Sequence, residues 1–220
     1  MPKRKKKSLP IYLTVEEIRR MLDAARCERD RLLVLLAYKT GLRCHELTSL
    51  KIEHIDFQKN LIMVVDGKGN RDRVVYVDPD TLHQIKEYIG ERRSGILFLS
   101  QKKTPRRKVK RTILTYDDEG NIIKKEVTWV TLERGQLNDA TVERIVRNMA
   151  RDAGIVKPKR ITTHTLRHTF ACQSLLAGVP ITTVQIALGH SSLKTTEIYL
   201  KAIQNTEQLI KDYQRTPLPI

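Results

Sequence analysis

Charged side chains able to act on a phosphate group follow apolar segments, at positions where packing alone does not require them. Arg43 comes shortly after Gly41, and Glu46 lies one helical turn further on, so that its carboxylate can fix the guanidinium. Lys68 stands between two glycines in a segment typical of a hairpin turn. An arginine matches phosphate oxygens with a planar fork and a lysine supplies a mobile point charge, so both types suit phosphoryl transfer.

A second group of polar residues lies in the last third of the chain. His164 and Arg167 share one face at the start of a predicted helix, the end that favours anions. His190 follows a helix-breaking glycine, and Tyr199 comes nine residues later. His164 and His168 also have a spacing that suits two zinc ligands, but no general-base glutamate or further ligand stands beside them. We expect His168 to be buried and hydrogen-bonded, and we expect no metal site and no cofactor.

Each of these residues also has an ordinary structural interpretation. An arginine and a glutamate at a helix start commonly form an ion pair, and a lysine in a turn is usually solvated. A tyrosine on a helix most often packs in the core or at its rim. The functional hypothesis depends on the combination of these residues. Each of them alone has an ordinary explanation, but all of them together would require several independent coincidences.

Local helix signals predict a mainly α fold with a small antiparallel β-sheet (α+β) in a single domain. Thr14 and Glu17 form a capping-box signature, and residues 29–38 are apolar nearly all round. Gly41 stands where a left-handed C-cap ends a helix. Further helices are predicted at residues 79–92, 138–153, 165–176, 181–188, 193–202 and 206–213.

The sheet is predicted from apolar, β-branched runs that replace the helical period. Residues 61–65 and 73–77 read as strands joined by a glycine- and asparagine-rich turn. Residues 112–130 alternate around an acidic, glycine-containing segment and predict a second hairpin. The first hairpin therefore presents Lys68 at its tip.

Composition and charge restrict the class of protein. Of 220 residues, 40% are hydrophobic, which is enough for a core, and no apolar run is long enough to cross a membrane. Cys27, Cys44 and Cys172 are too scattered for a disulfide framework, and the N-terminus lacks a signal peptide's apolar core, so we expect a cytoplasmic protein without a membrane partner. The formal charge of +16 favours a polyanionic partner, and 5% aromatic residues favour duplex over single-stranded nucleic acid.

Five short segments resemble, in order and in spacing, the signature boxes of the tyrosine recombinases, the phage-integrase and Xer-like group. The resemblance covers about residues 11–205 and implies a fold like the catalytic domain of that family. The segments are residues 40–47 (TGLRCHEL), 67–70 (GKGN), 164–171 (HTLRHTFA), 188–190 (LGH) and 195–199 (TTEIY).

The resemblance implies a catalytic role for the charged residues described above. Arg43 and Arg167 would hold the scissile phosphate. Lys68 would be the general acid for the departing 5′ oxygen, and Tyr199 would be the nucleophile. Such a set suits metal-free phosphoryl transfer, because preorganised cations stabilise the charge that develops on the non-bridging oxygens. The product would be a 3′-phosphotyrosyl link, and because one phosphodiester replaces another, rejoining would need no ATP.

Two histidines and a carboxylate complete the implied set. His164 would transfer a proton or contact the phosphate, His190 would donate a hydrogen bond to it, and Glu46 matches a supporting acidic position of the family. The family resemblance therefore implies a site-specific recombinase or integrase that acts on double-stranded DNA as a homo-oligomer, a tetramer on DNA. The residue types in the boxes favour Xer-like dimer resolution, with integration or excision of a mobile element as the alternative.

Two other functions stay open at this point. A DNA-binding module could keep the fold without strand exchange, although the presence of every implied catalytic residue argues against it. A type IB-like enzyme that relaxes supercoiled DNA would use the same chemistry and would differ in its assembly.

The chain departs from the family's pattern at three places. Residues 1–10 are expected to form a basic flexible tail where relatives usually carry a DNA-clamping domain, so we expect either a catalytic fragment or a minimal enzyme. Within the catalytic domain (residues 11–205), residues 102–130 form a basic insertion and hairpin, either a DNA-contacting arm or a surface insertion. Residues 206–220 are expected to form a C-terminal helix and tail that docks onto a neighbouring subunit or packs in cis. The candidate DNA contacts are Lys3, Arg4, Lys5, Lys6, Lys7, Lys102, Lys103, Arg106, Arg107, Lys108, Lys110 and Arg111.

Overall fold

The computed structural model describes residues 10–65, 72–100, 105–116, 122–190, 192–193 and 196–204. Helices dominate these residues and small antiparallel sheets accompany them, which confirms the predicted fold class. The helices are α1 (Val15–Asp23), α2 (Glu28–Thr40), α3 (Cys44–Ser49), α4 (Pro79–Ile89), α5 (Asp139–Asp152), α6 (Thr163–Leu176), α7 (Ile181–Leu188) and the helical residues 196–204, named α8. The predicted helix at residues 206–213 lies outside the described residues.

Helix α2 forms the centre of the core and ends at the edge of the candidate site. Most of its side chains are buried, as its apolar sequence predicted. Gly41 ends the helix with a left-handed φ of 63°, as its sequence position predicted. A Cβ atom at residue 41 would lie 2.5 Å from Cδ1 of Phe170. Only glycine therefore permits the close approach of α2 and α6, which brings their polar residues together.

A three-stranded antiparallel sheet packs one face on the same core. It consists of β1 (Ile55–Asp56), β2 (Leu61–Val64) and β3 (Arg73–Tyr76), with Val64 opposite Arg73. Ile62 and Val75 are buried, whereas Met63 and Val74 face outward. Strands β2 and β3 confirm the predicted hairpin, and the sequence analysis missed β1. The alternation places Arg73 on the same side of β3 as the buried Val75.

The second predicted hairpin is confirmed and is longer than the sequence indicated. Strands β4 (Arg107–Tyr116) and β5 (Ile122–Leu132) pair with Lys110 opposite Trp129, because part of the basic run is itself strand. Alternate residues are exposed on one side. This side, called the outer face of the hairpin, consists of Lys108, Lys110, Thr112, Lys125, Val127, Trp129 and Thr131.

Arg111 points to the opposite side of the hairpin and anchors it to the helices. Its Nε lies 3.0 Å from Oδ2 of Asp139 at the start of α5, and its Nη2 donates to Oδ1 at 3.2 Å. Thr48 of α3 donates to the same Oδ1 at 3.1 Å. The hairpin is therefore joined through Asp139 to the helix that follows Arg43.

Several predicted features lie outside the described residues. They are the turn at residues 66–71 with Lys68, the basic tail at residues 1–9, and residues 205–220. Within the described ranges, no helix has the length and apolar character needed to cross a membrane.

Candidate active site

The predicted ion pair between Arg43 and Glu46 is confirmed at the junction of α2 and α3. Arg43 is the N-cap of α3, where its backbone N–H donates to Oε2 of Glu46 at 2.7 Å and its Nη1 donates to Oε1 at 3.1 Å. The Glu46 side chain is 1% exposed, whereas that of Arg43 is 31% exposed. The carboxylate is thus internal, and the guanidinium keeps access to an external anion.

A third arginine, which the sequence analysis did not single out, binds the same carboxylate. Arg73 donates from Nη1 to Oε1 and from Nη2 to Oε2 of Glu46, both at 2.8 Å. Burial by itself would raise the pKa of Glu46, but the hydrogen bonds and charge of Arg73, with the charge of Arg43, hold this pKa well below its usual range. The sequence contains no clear signal for this contact, because residues 74–77 are all apolar and do not show which side of the strand is buried.

Arg167 lies deep in the protein near the start of α6. Its Nη1 donates to the carbonyl oxygen of Gly41 at 2.6 Å, and its Nη2 donates to that of Leu188. Burial, together with the charge of Arg43, lowers the pKa of Arg167 to about 9. The guanidinium therefore stays protonated at neutral pH and joins the ends of α2 and α7.

The two histidines predicted to act on the phosphate are neutral at neutral pH. Burial and the charges of Arg167 and Arg43 lower the pKa of His164 to about 4 and that of His190 to about 3. His190 also places Nδ1 3.0 Å from Oγ1 of Thr196. Neutral imidazoles can donate or accept hydrogen bonds at this site without adding charge.

Tyr199 lies against the histidines and is only 2% exposed. Its Oη is 3.1 Å from Nδ1 of His168, and its ring stacks on His190 with centroids 6.4 Å apart. Burial raises the pKa of Tyr199 to about 12, although the charge of Arg167 opposes this. His168 is buried and hydrogen-bonded as predicted, but the sequence did not indicate that its partner is Tyr199.

The charge of one predicted catalytic residue influences most of the others. The charge of Arg43 acts on Arg167, His164, His190 and Tyr199. The structure therefore brings the predicted set together, apart from Lys68, which lies outside the described residues. Among the residues that the structure describes, no three side chains of metal-binding type form a cluster.

The candidate DNA contacts on the hairpin differ in their surroundings. Arg107, Lys108 and Lys110 are exposed. Arg106 lies 3.7 Å from Glu133, whereas the charge of Arg111 is paired with Asp139 inside the chain. Lys3, Arg4, Lys5, Lys6, Lys7, Lys102 and Lys103 lie outside the described residues.

Comparisons with known proteins agree with this arrangement. Residues 12–205 match the Phage integrase family. Tyrosine recombinase XerA of Pyrococcus furiosus is 36% identical over 199 residues, which cover 89% of this chain and 58% of that protein. A crystal structure of XerA recombinase matches with a TM-score of 0.68 and 27% identity, over 100% of this chain and 68% of that chain. XerH site-specific recombinase, bound to palindromic difH substrate, shares the fold at 24% identity with a TM-score of 0.66, over 94% of this chain and 54% of that chain.

The matched relatives are longer than this chain. It spans 58% of the Pyrococcus furiosus protein and 66% of XerA from Thermococcus onnurineus, to which it is 36% identical over 99% of its own length.

Proposed function

Because the chain belongs to the phage integrase family, we propose that it cleaves and rejoins double-stranded DNA as a site-specific tyrosine recombinase. The observation that carries this proposal is the meeting of arginines from distant segments around one buried carboxylate. Arg43 and Arg73 donate hydrogen bonds to Glu46 and the charge of Arg167 also acts on it, so three positive charges oppose one negative charge. The positive balance suits an anionic phosphodiester, whose charge increases as it reacts.

In the proposed reaction, the oxygen of Tyr199 bonds to phosphorus and the bond from phosphorus to the 5′ oxygen breaks. Lys68 gives the departing oxygen a proton, and a histidine of the site accepts the proton of the tyrosine. Arg43 and Arg167 hold the non-bridging oxygens. The 3′-phosphotyrosyl link retains a phosphodiester bond, so a new 5′ hydroxyl can reverse the step without ATP.

The remaining residues support the phosphate. His190, which is neutral at neutral pH, donates a hydrogen bond to an oxygen of the phosphate. His164 transfers a proton or contacts the same group. Glu46 supports Arg43 through the two hydrogen bonds between them. These roles require no metal or cofactor in the proposed step.

The described position of Tyr199 represents a state before attack. A side chain that is 2% exposed cannot meet a duplex, and its raised pKa disfavours the phenolate. We propose that DNA binding moves α8, so that the tyrosine leaves His168 and enters the phosphate site. In that position desolvation raises the pKa of the Tyr199 hydroxyl less, and the charges of the arginines lower this pKa.

The proposed substrate and assembly follow the family. Residues 11–205 form the proposed catalytic domain, within which residues 102–130 are the proposed arm. The chain acts as a homotetramer on DNA. Xer-like resolution of chromosome or plasmid dimers is the favoured role because the named relatives are Xer recombinases, and mobile-element integration or excision is the alternative.

The hairpin is the proposed arm that contacts the DNA backbone beyond the cleavage site. Lys108, Lys110 and Lys125 are exposed on its outer face, where charge complementarity favours phosphates. Arg107 is exposed as well, whereas Arg111 serves as the anchor of the hairpin on Asp139. The basic residues of the tail and Lys102, Lys103 and Arg106 have the same proposed contact role.

A nicked suicide duplex tests the proposed function. Cleavage near the nick releases a short strand, so religation fails and the covalent complex accumulates. We expect a protein–DNA adduct with the unchanged chain and none with Tyr199→Phe, which keeps the ring but lacks the nucleophile. Tyr38→Phe is the matched control, because Tyr38 packs on the core outside the candidate site. An adduct that persists in Tyr199→Phe, or none on any duplex of a library of candidate sites, would contradict the proposal.

A further inference from the structure

Arg73 contacts three separate segments of the candidate site. Besides its paired hydrogen bonds to Glu46, its Nε donates to the carbonyl oxygen of Ala187 at 2.8 Å. A Cβ atom at Gly189 would lie 3.0 Å from Cδ of Arg73, so the side chain packs directly on this glycine. Its side chain is 7% exposed, which leaves no direct path to a duplex.

The hydrogen bonds of Arg73 determine how much of the negative charge of Glu46 is offset by Arg73 and how much by Arg43. One carboxylate accepts from Arg73 through both oxygens, while Arg43 donates to it from one Nη and from the backbone. Because the bidentate partner is the buried one, Arg73 offsets most of the negative charge. Arg43 therefore stays oriented by Glu46 without being neutralised by it, and its charge is available to an anion.

Arg73 also fixes the end of α7. Ala187 and Leu188 are the last residues of that helix, and their carbonyl oxygens accept from Arg73 and Arg167 respectively. Cations at a helix C-terminus satisfy carbonyls that lack an intrahelical partner and interact favourably with the helix dipole. The two arginines thereby position the residue that follows Gly189, which is His190.

We propose that Arg73 is a positioning residue of the recombination site, which neutralises Glu46, leaves the charge of Arg43 to the scissile phosphate and sets the position of His190. This inference rests on the proposed function. It adds to the implied catalytic set a residue that does not itself touch the substrate. Its planar fork is the essential property, because three separate nitrogens reach both carboxylate oxygens and a carbonyl, whereas a lysine offers a single nitrogen.

The predicted signature of this role is a pH dependence that depends on Glu46. Without Arg73, the buried carboxylate loses its strongest partner, so its pKa rises and it takes up a proton within the working range. Among the described residues, the guanidinium charges of Arg43, Arg73 and Arg167 act on Glu46. Two further titratable side chains lie near Glu46, since His54 lines the same small cavity and His45 precedes Glu46 in α3.

Single-turnover cleavage of the suicide duplex at saturating protein measures this signature. We expect Arg73→Gln to react about 100-fold more slowly, since small misplacements at a reacting centre have effects of this size. We also expect its rate to rise again as the pH decreases between about 8 and about 5, the range over which the buried carboxyl would titrate, because a protonated Glu46 no longer offsets the charge of Arg43. In Arg73→Gln/Glu46→Gln this pH dependence disappears, whereas a dependence that arises from any other group would persist.

Matched variants separate positioning from folding. Arg26→Gln removes an exposed arginine that also bonds a carboxylate, Asp152, and we expect its rate and pH profile to be unchanged. If Arg73→Gln does not fold, Arg73→Lys and Arg73→Lys/Glu46→Gln replace it, with a smaller loss of rate and the same difference between single and double variant. A rate equal to that of the unchanged protein, or a pH dependence that persists without Glu46, would overturn the assignment.

Carboxyl ¹³C resonances of Glu46 keep this inference distinct from the proposed function. In the unchanged protein we expect no titration above about pH 4, and in Arg73→Gln a midpoint shifted into the range of a buried carboxyl, above about 4.3. This measurement needs no DNA. An unshifted midpoint would overturn the inference even if cleavage is observed, and absent cleavage with a shifted midpoint would count against the recombinase proposal alone.

Discussion

The candidate active site and the outer face of the hairpin use positive charge in opposite ways. In the site, Arg73 and Arg167 are buried, and their N–H groups bond a carboxylate or main-chain carbonyls. On the outer face, Lys108 and Lys110 are exposed, and Lys110 lies 5.4 Å from the centre of the Trp129 ring. A buried guanidinium acts through its position, so its loss is large and specific, whereas exposed lysines act through their number and are weakened by salt.

The largest expected effect on the cleavage rate is that of replacing the buried guanidinium of Arg167 by the ammonium group of a lysine. Arg167→Lys keeps the charge but cannot reach both Gly41 and Leu188, so we expect single-turnover cleavage to fall by about 10²–10³. We also expect a loss of about 1–3 kcal/mol in the free energy of unfolding, because buried carbonyls lose their donors. Arg26→Lys is the matched exposed control. A nearly unchanged cleavage rate in Arg167→Lys would contradict the view that the buried guanidinium acts through its position.

The histidines of the site sharpen the comparison through the pH dependence of stability. Burial, with the charges of Arg167 and Arg43, lowers the pKa of His190 to about 3, whereas an unfolded histidine titrates near about 6.5. Between these values the unfolded chain binds a proton that the folded chain excludes, so the free energy of unfolding falls as the pH falls below neutral. Over this range we expect the free energy of unfolding to decrease less in His190→Gln than in the unchanged protein, by roughly 2–4 kcal/mol. Denaturant unfolding at a series of pH values measures this difference.

His83 supplies the control for this measurement, because it is an exposed histidine paired with Glu87 on the surface of α4. The curve of His83→Gln gives the effect of removing an exposed histidine, against which the curve of His190→Gln is compared. Parallel curves for His190→Gln and the unchanged protein would show that the site excludes no proton at that position.

The smallest expected effect is on the hairpin, where it takes the form of a salt dependence. Each phosphate contact contributes about 0.9 to the slope of log affinity against log salt, so Lys108→Gln/Lys110→Gln should reduce that slope by about 2. Lys59→Gln/Lys86→Gln removes the same charge from the surface elsewhere and should leave the slope nearly unchanged. Equal slopes in the two double variants would contradict the proposal that the hairpin contacts the DNA backbone. Point substitutions are preferable to deleting residues 102–111, because the deletion also removes the first residues of β4 and the Arg111 anchor.

The part of the fold that the sequence predicted is the part specified by neighbouring residues. The capping box of Thr14 and Glu17 and the C-cap at Gly41 are local signals, and both are present in the structure. Strand β1 was missed because two residues cannot show a period. The length of the second hairpin was underestimated because a basic strand lacks the apolar alternation on which strand prediction depends.

The site shows the same division between local and tertiary information. The pairing of Arg43 with Glu46 is one helical turn apart in sequence and was predicted, whereas the bond from Arg73 to Glu46 spans 27 residues. The contact between His168 and Tyr199 spans 31 residues. Neither long-range pair has a sequence signature of its own, because each depends on how α3, α6 and their neighbours pack.

Trp129 is the only tryptophan in the chain, and 63% of its surface is accessible on the hairpin. Intrinsic fluorescence excited at the indole band therefore reports on this element alone, without a label. A duplex that covers the hairpin changes the emission of this indole, while a short oligonucleotide confined to the arginine cluster leaves it unaltered. Tryptophan fluorescence can therefore distinguish DNA that contacts the hairpin from DNA that contacts only the arginine cluster.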